Sequence, residues 1–514
     1  MAPQQSRGWP LTMLCALLLM GAGIALLLQS PLSPWSTQFP GSESSLFLYG
    51  AAQQLDNNML YRDVFDFHAP LVFLINMLGL LIGGRVGLWV LEIHFVVLTL
   101  LILFVMLRRH THTLAAFFTC LILAALIAHS LQGGNLIEEY AMLFQALALM
   151  TFMDCMAQRR VIISSTALMG ISAALTFCLK PALTLFWLPF LILICALLIK
   201  RRGWGSALAA MTIVIFSAAL ILVLLLFWLY VNNALASWYD MTILFYRDLI
   251  LGVTPAERLE VLRSFANHPS LALTVVFSLL LIVQRLLAKR TTGAQREKSG
   301  PLAPVTLPLI VANLVAAILL LAVAVLEGRA DERLVLQGLI CLVIPLACLI
   351  DLVVPIVRER SRVRAVLALA LVALLGVSLM APGVGATIER VKEQWTRDQT
   401  LSEQKELVGV IRGSLIFDEP IIVFGDDCWI YSAAGTYSAT RYPYQPFSET
   451  FRSDLNADFY RQAEVSEATL LVGRSDAGLV ERYPGIRDYQ LIFKNERFEV
   501  YYRSPEAPEE AGLL

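Results

Sequence analysis

ALAAMTIVIFSAALILVLLLFWLYV, residues 207–231, is the stretch on which the fold class turns. It holds 25 residues without a single charge. As a helix rising 1.5 Å per residue it would cover the ~30 Å hydrocarbon core of a bilayer with length to spare. Runs of the same kind recur on both sides of it. The whole chain is 58% hydrophobic and only 15% charged, where soluble domains carry about a quarter charged residues. The runs predict about eleven spans, at 9–28, 86–107, 113–130, 138–156, 161–179, 182–199, 207–231, 270–288, 304–327, 334–355 and 365–382. The first is longer than the apolar stretch of a secretory signal, about 7–15 residues, and no convincing cleavage site follows it.

The charges between the runs set the orientation. Lys and Arg gather at Arg108/Arg109, Arg159/Arg160, Lys200/Arg201/Arg202, Lys289/Arg290/Arg296/Lys298 and Arg358/Arg360/Arg362/Arg364. The positive-inside rule places these in the cytoplasm together with Arg7. Two apolar runs separate consecutive clusters, except at the start, where 9–28, 69–84 and 86–107 all lie between Arg7 and Arg108. The middle one, APLVFLINMLGLLIGG, has 16 residues and is too short to span. Read as re-entrant or interfacial, it leaves every cluster cytoplasmic. The loops 29–85, 131–137, 232–269 and 328–333, the turn at Lys180-Pro181, and the tail from 383 then face outward.

The tail predicts an amphipathic helix over about 387–412 and a small α/β module with strands at 420–425, 468–473, 489–494 and 498–503, the last two alternating with period two. The expected domains are therefore 1–382 and 383–514. Of the eight cysteines, only Cys428 lies outside the apolar runs, so neither a disulfide framework nor a zinc site is expected. No internal repeat and no phosphate-cradling glycine loop is present, which argues against a soluble nucleotide-using enzyme, and nothing points to nucleic acid.

The first outer loop differs from the rest of the chain. Between positions 43 and 68 it carries Glu43, Asp56, Arg62, Asp63, Asp66 and His68. The second brings Glu138 and Glu139 to the start of a span, and the turn after the fifth span carries Lys180. Groups of this kind, where apolar helices meet water, suit a carboxylate base beside a cation for an anionic head group. Each has a plainer reading. Glu43 and the Glu138/Glu139 pair stand at helix starts, where acids are favoured. Arg62 could simply pair with Asp63 or Asp66, and Lys180 could snorkel at a helix end. Glu92 and His94, inside the second span, fit either an interior-facing site or helix–helix hydrogen bonding.

Three motifs carry a family resemblance: E-S-S-x-F-x-Y at 43–49, Y-R-D-x-F-D-x-H-x-P at 61–70, and G-G-N-x-x-E-E-Y at 133–140. Together they resemble the C-type membrane glycosyltransferases, nearest to the bacterial mannosyl- and galacturonosyl-transferase-like branch related to the aminoarabinose transferase of lipid A. The resemblance covers about 40–185, extends to the other spans by topology and reaches the tail loosely. It implies a bacterial plasma-membrane enzyme with juxtamembrane helices in the first outer loop. It also implies a polyprenyl-phosphate-linked sugar donor and an extracytoplasmic glycan or lipid acceptor. Glu43 stands where the family usually has a catalytic Asp, and His68 where many relatives have Lys.

On that reading the catalytic candidates are Glu43 and one of Glu138 and Glu139, Glu139 in preference. Arg62, Asp63, Asp66, His68 and Lys180 are the substrate-binding candidates. No cofactor is expected, although paired carboxylates could hold a divalent metal. The rival readings are a transporter or flippase for lipid-linked sugars, which would be expected to show inverted repeats, and a non-catalytic assembly protein, which would leave the outer carboxylates dispersed.

Overall fold

The computed structural model describes residues 9–503 apart from 132, 159–162, 268, 293–304, 329–332, 359–361, 396–398, 416–418, 446–452, 467 and 477. Nearly all described residues of the apolar runs are helical. The helices are α1 (Trp9–Leu26), α2 (Ser42–Leu55), α3 (Leu71–Arg108), α4 (Thr113–Ser130), α5 (Ile137–Gln158), α6 (Ile163–Leu179), α7 (Trp187–Arg202) and α8 (Trp204–Val231). After them come α9 (Leu235–Trp238), α10 (Phe245–Gly252), α11 (Pro255–Asn267), α12 (Pro269–Thr292), α13 (Leu307–Glu327), α14 (Arg333–Arg358) and α15 (Arg362–Trp395). Among the described residues, six helices are long and apolar enough to cross a membrane by length and composition.

Apolar composition alone does not say which helix is central. In α14, which packs against α4, α5, α12, α13 and α15, every residue from Leu339 to Cys348 is buried. In α8, similarly apolar, Phe216 is 73% exposed and Leu208 71%. A helix that is apolar all round belongs inside a bundle or against lipid; α14 is the first case, and α8 presents its outer face to the bilayer.

The run at 69–84 becomes a separate arm of α3. Gly83 is extended and Gly84 is left-handed (φ 61°, ψ −142°), so the helix folds sharply at that pair. A side chain on Gly79 would sit 2.7 Å from the Leu88 Cα, and one on Gly87 would strike the Gly79 carbonyl. In a straight helix, residues eight apart would be separated by about 12 Å. The arms therefore lie against each other as a hairpin, and the first, 71–82, is only about 18 Å long.

Residues 232–269, read from sequence as an outer loop, are largely helical. They form α9, a π-helical turn at Tyr239–Leu244, α10 and α11. Thr254 and Glu257 cap α11 reciprocally: the Glu257 carboxylate accepts from the Thr254 N–H at 2.7 Å, and the Thr254 hydroxyl accepts from the Glu257 N–H at 3.3 Å.

The stretch 387–412, expected as a helix, is helical over its described residues. α15 runs unbroken past residue 383 to Trp395, and α16 spans Gln399–Ser414; the residues between lie outside those described. Beyond them stand β1 (Ile421–Val423), α17 (Trp429–Ala434), α18 (Ser453–Val465), β2 (Leu470–Arg474), β3 (Tyr489–Lys494) and β4 (Phe498–Arg503). The strands form one sheet in the order β1-β2-β4-β3, with β1 and β2 parallel and the other pairs antiparallel. β3 and β4 coincide with the period-two segments, while β1 is shorter than expected. This module sits on the first loop. The Ser438 N–H donates to the Tyr49 hydroxyl at 3.0 Å, the Phe65 N–H donates to the Arg441 carbonyl at 2.7 Å, and Phe39 stacks on Trp429 at 4.6 Å.

Candidate active site

At the end of the bundle that carries α2, a cavity opens between six parts of the chain, with about 740 Å³ of space in and before its mouth, part of it open to solvent. The first turn of α2 supplies Glu43, the segment before α3 supplies His68, and the first turn of α5 supplies Glu138. The turn after α6 supplies Lys180, α10 supplies Tyr246, and the last residue of α13 is Glu327.

The polar floor of the cavity is an ionic trio. The Lys180 ammonium donates to Glu138 Oε1 at 3.1 Å and to Glu327 Oε2 at 2.9 Å. All three side chains are nearly buried, with 14%, 9% and 5% exposure. Burial pulls the Lys180 pKa down, and the charges of Glu327 and Glu138 more than reverse it, so it lies above the ordinary lysine value. Tyr246 donates its hydroxyl to Glu327, and Gln337 donates to Glu138 at 3.4 Å. An ammonium has three N–H donors and two are used here; the third can turn toward the cavity.

His68 is fixed by Asp66. One fully buried oxygen, Asp66 Oδ1, accepts from the His68 backbone N–H at 2.6 Å and lies 2.7 Å from Nδ1. A carboxylate there selects the tautomer with hydrogen on Nδ1. The ring stacks on Phe67 at 4.1 Å and meets the edge of Phe47 at 5.0 Å. Arg62 and Asp63 do not line the cavity. They pair with each other at 2.6 Å, which holds the Asp63 carboxyl below the usual carboxylate range, and Asp63 also accepts from the Met59 N–H at 2.8 Å. Their visible work is to fold the loop.

Glu43 occupies the second position of α2, inside its first turn, and the residue at the N-cap position is Gly41, with no side-chain cap. It lines the main cavity and also a second one, of about 520 Å³, whose wall includes Ser42, Ser44, Gly133 and Gly134. Glu43 thus belongs to the walls of both spaces.

Glu139 lines neither cavity. It is fully buried and reaches back to the Leu136 N–H at 3.4 Å, half of a capping box at the start of α5. Glu92, also fully buried, accepts from the Asn135 N–H and from Ser30 Oγ at 3.2 Å. His94 is more exposed and bonds the Val90 carbonyl of its own helix at 2.7 Å.

Sequence reading missed Glu327, Tyr246 and Thr242, which also line the main cavity. Glu327 alone gave a signal, as the single charge closing an otherwise apolar helix. Among the described residues no group of three or more His, Cys, Asp or Glu is arranged to hold a metal ion.

A family model described as "Putative competence-induced protein Ccs4 N-terminal domain" matches residues 4–327, more than half of the chain. No curated protein sequence matches. Among solved structures, ArnT from Cupriavidus metallidurans bound to undecaprenyl phosphate is similar with a TM-score of 0.55 at 11% identity, covering 97% of this chain and 99% of that one. The Archaeoglobus fulgidus oligosaccharyltransferase tethered to an acceptor peptide gives 0.53 at 12% identity, covering 97% and 74%. AglB from the same organism, with an inhibitory peptide and a dolichol-phosphate, gives 0.53 at 12%, covering 96% and 75%. At such identities the likeness is one of fold.

Proposed function

The chain belongs to the family of the Ccs4 N-terminal domain, and from that premise and the shape of its site we propose that it is a membrane glycosyltransferase using a polyprenyl-phosphate-linked sugar. The observation that carries the reading is the place of Glu43 in the walls of two cavities at once. Direct displacement needs a base between donor and acceptor. Glu43 takes the acceptor hydroxyl proton, the oxygen attacks the anomeric carbon, and polyprenyl phosphate leaves as a stable anion. A base so placed contributes ~10²–10⁴-fold, and one displacement inverts the anomeric centre. The leaving phosphate meets His68, held by Asp66, and the third N–H of Lys180. The undecaprenyl phosphate of the ArnT structure and the dolichol-phosphate of AglB support the donor class.

In this reading the helices cross a bacterial plasma membrane, the basic clusters face the cytoplasm, and the site and the C-terminal module face outward, where a cell-envelope glycan or lipid accepts the sugar. The sugar is a hexose or pentose, as in the mannosyl- and galacturonosyl-transferase-like branch. The test is turnover of purified protein on a panel of polyprenyl-phosphate sugars, read as release of the lipid phosphate. Glu43→Gln is expected to abolish turnover while donor binding and thermal stability stay within error, and Glu43→Asp to keep activity. A fully active Gln variant would remove Glu43 from the mechanism.

A further inference from the structure

Behind the second cavity lies a buried polar knot. Gly133, Gly134 and Asn135 are consecutive and all left-handed, with φ of 103°, 91° and 56°. Glycine enters that region freely, and asparagine is among the few other residues found there with any frequency. A side chain at Gly134 would run into Glu92 Oε1, so bare backbone is required where the carboxylate comes up beneath it. Such a conformation persists only where the surroundings over-determine it, and these segments cluster at functional sites.

The surroundings here converge on Asn135, which has no exposed surface. Its amide pairs reciprocally with that of Asn76, at 2.9 and 3.0 Å, and its oxygen also accepts from the Tyr140 hydroxyl at 2.8 Å. Its Nδ2 donates to Ser44 Oγ at 3.0 Å, and its backbone N–H donates to Glu92. One residue, through its side chain and its backbone N–H, thereby joins α2, both arms of α3 and α5. Ser44 is the residue after Glu43, in the first turn of a helix whose N-cap position gives no side-chain cap. First-turn N–H groups have no partner within the helix, so what holds this turn in place comes from outside it.

We propose that Asn135 is a positioning residue: through Ser44 it fixes the first turn of α2, and so Glu43, in the walls of both cavities. The claim rests on the transferase reading. It requires that cutting the link slow the chemical step while leaving donor binding and the fold alone. A displacement of about 1 Å of a reacting group can cost 10²-fold in rate.

The experiment uses the full chain and whichever polyprenyl-phosphate sugar the wild type turns over, with kcat, donor KM and thermal midpoint measured for Ser44→Ala, Ser44→Thr, Asn135→Asp and the Ser44→Ala/Asn135→Asp double variant. Asn135→Asp keeps the shape and loses the Nδ2 donors. It is expected to lower kcat by about 10²-fold, and Ser44→Ala by about tenfold, both with donor KM within about twofold of wild type. Ser44→Thr retains the hydroxyl and is expected to stay near wild type. The double variant is expected to be no slower than Asn135→Asp, because the link that Ser44→Ala removes is already cut by Asn135→Asp, which also loses the bond to Asn76. A Ser44→Ala variant with wild-type kcat, or effects that multiply in the double variant, overturns the proposal. Should Asn135→Asp fail to fold, the Ser44 pair decides alone. A wild type that releases lipid phosphate from no donor in the panel overturns the transferase reading itself, a failure visible before any variant is made.

Discussion

Glu138 and Glu139 are adjacent in sequence and occupy opposite kinds of surroundings. Successive helical residues point about 100° apart, and in the first turn of α5 that rotation separates a cavity from a sealed interior. Glu138 faces the cavity and shares an ammonium with Glu327. Glu139 faces inward beside Glu92, where among the described residues the hydrogen-bond partners are backbone N–H groups and a serine hydroxyl, with no lysine or arginine bonded to either carboxyl. The contrast separates two uses of a buried acid. Where space is left for a ligand, the acid has a mobile cation as partner; where helices are being locked together, neutral donors suffice. One carboxyl oxygen of Glu139 is left without a hydrogen bond in that interior, a cost that falls on the locking side of the contrast.

The comparison breaks most visibly at Lys180. Lys180→Met strands two buried carboxylates, and loss of one partner from a buried ion pair costs about 3–5 kcal/mol. A large fall in thermal midpoint in detergent is the expected result, partly recovered by adding Glu327→Gln. A Met variant as stable as wild type would show that the trio is not a buried charge cluster. The next largest effect sharpens the contrast between the two neighbours. Glu138→Gln alters the charge facing the ligand and is expected to cut turnover about tenfold, the equivalent of ~1.4 kcal/mol. Glu139→Gln keeps an oxygen to accept from the Leu136 N–H, so less than about 1 kcal/mol of stability and little activity should be lost. Equal effects in the two assays would erase the distinction.

The smallest effect concerns pH. The Lys180 pKa is raised in the folded protein, so its contribution to stability is complete below the ordinary value of 10.5 and disappears only as pH climbs through the higher folded value. The difference in midpoint between wild type and Lys180→Met should therefore be flat from about pH 6 to 9, narrowing only under strong alkali. Narrowing within the neutral range would assign the interaction to another titrating group.

The long helices of the bundle were legible because each is an apolar run, and 69–84 stood apart because 16 residues are short for a span, whereas the fold at Gly83-Gly84 and the short helices of 232–269 were not read. β3 and β4 were readable to the residue from their alternation. The site was legible only in part. That Glu43, His68, Glu138 and Lys180 share a cavity accords with their placement at loop and helix ends. Whether Glu138 or Glu139 would face it depended on the rotation of α5, which packing against α3, α6 and α14 sets and which no local pattern records. The Asp66–His68 contact was open to reading, since an Asp two residues before its partner commonly accepts that backbone N–H. Tyr246 was not, because its segment looks like any amphipathic connection until the π-helical turn re-aims it.

The seat of the C-terminal module on the first loop has a consequence for biosynthesis. Tyr49 and Ser438 are 389 residues apart. At about 5–20 residues per second, the ribosome needs roughly 20–80 s to deliver the second after the first. Throughout that interval α2 lacks the partner that covers Tyr49, and Phe65 lacks the Arg441 carbonyl. A nascent chain halted before β1 would hold every residue that lines the cavity and still lack the Ser438 and Arg441 contacts to α2 and the first loop, so the outer brace of the site's framework arrives long after the site's own residues.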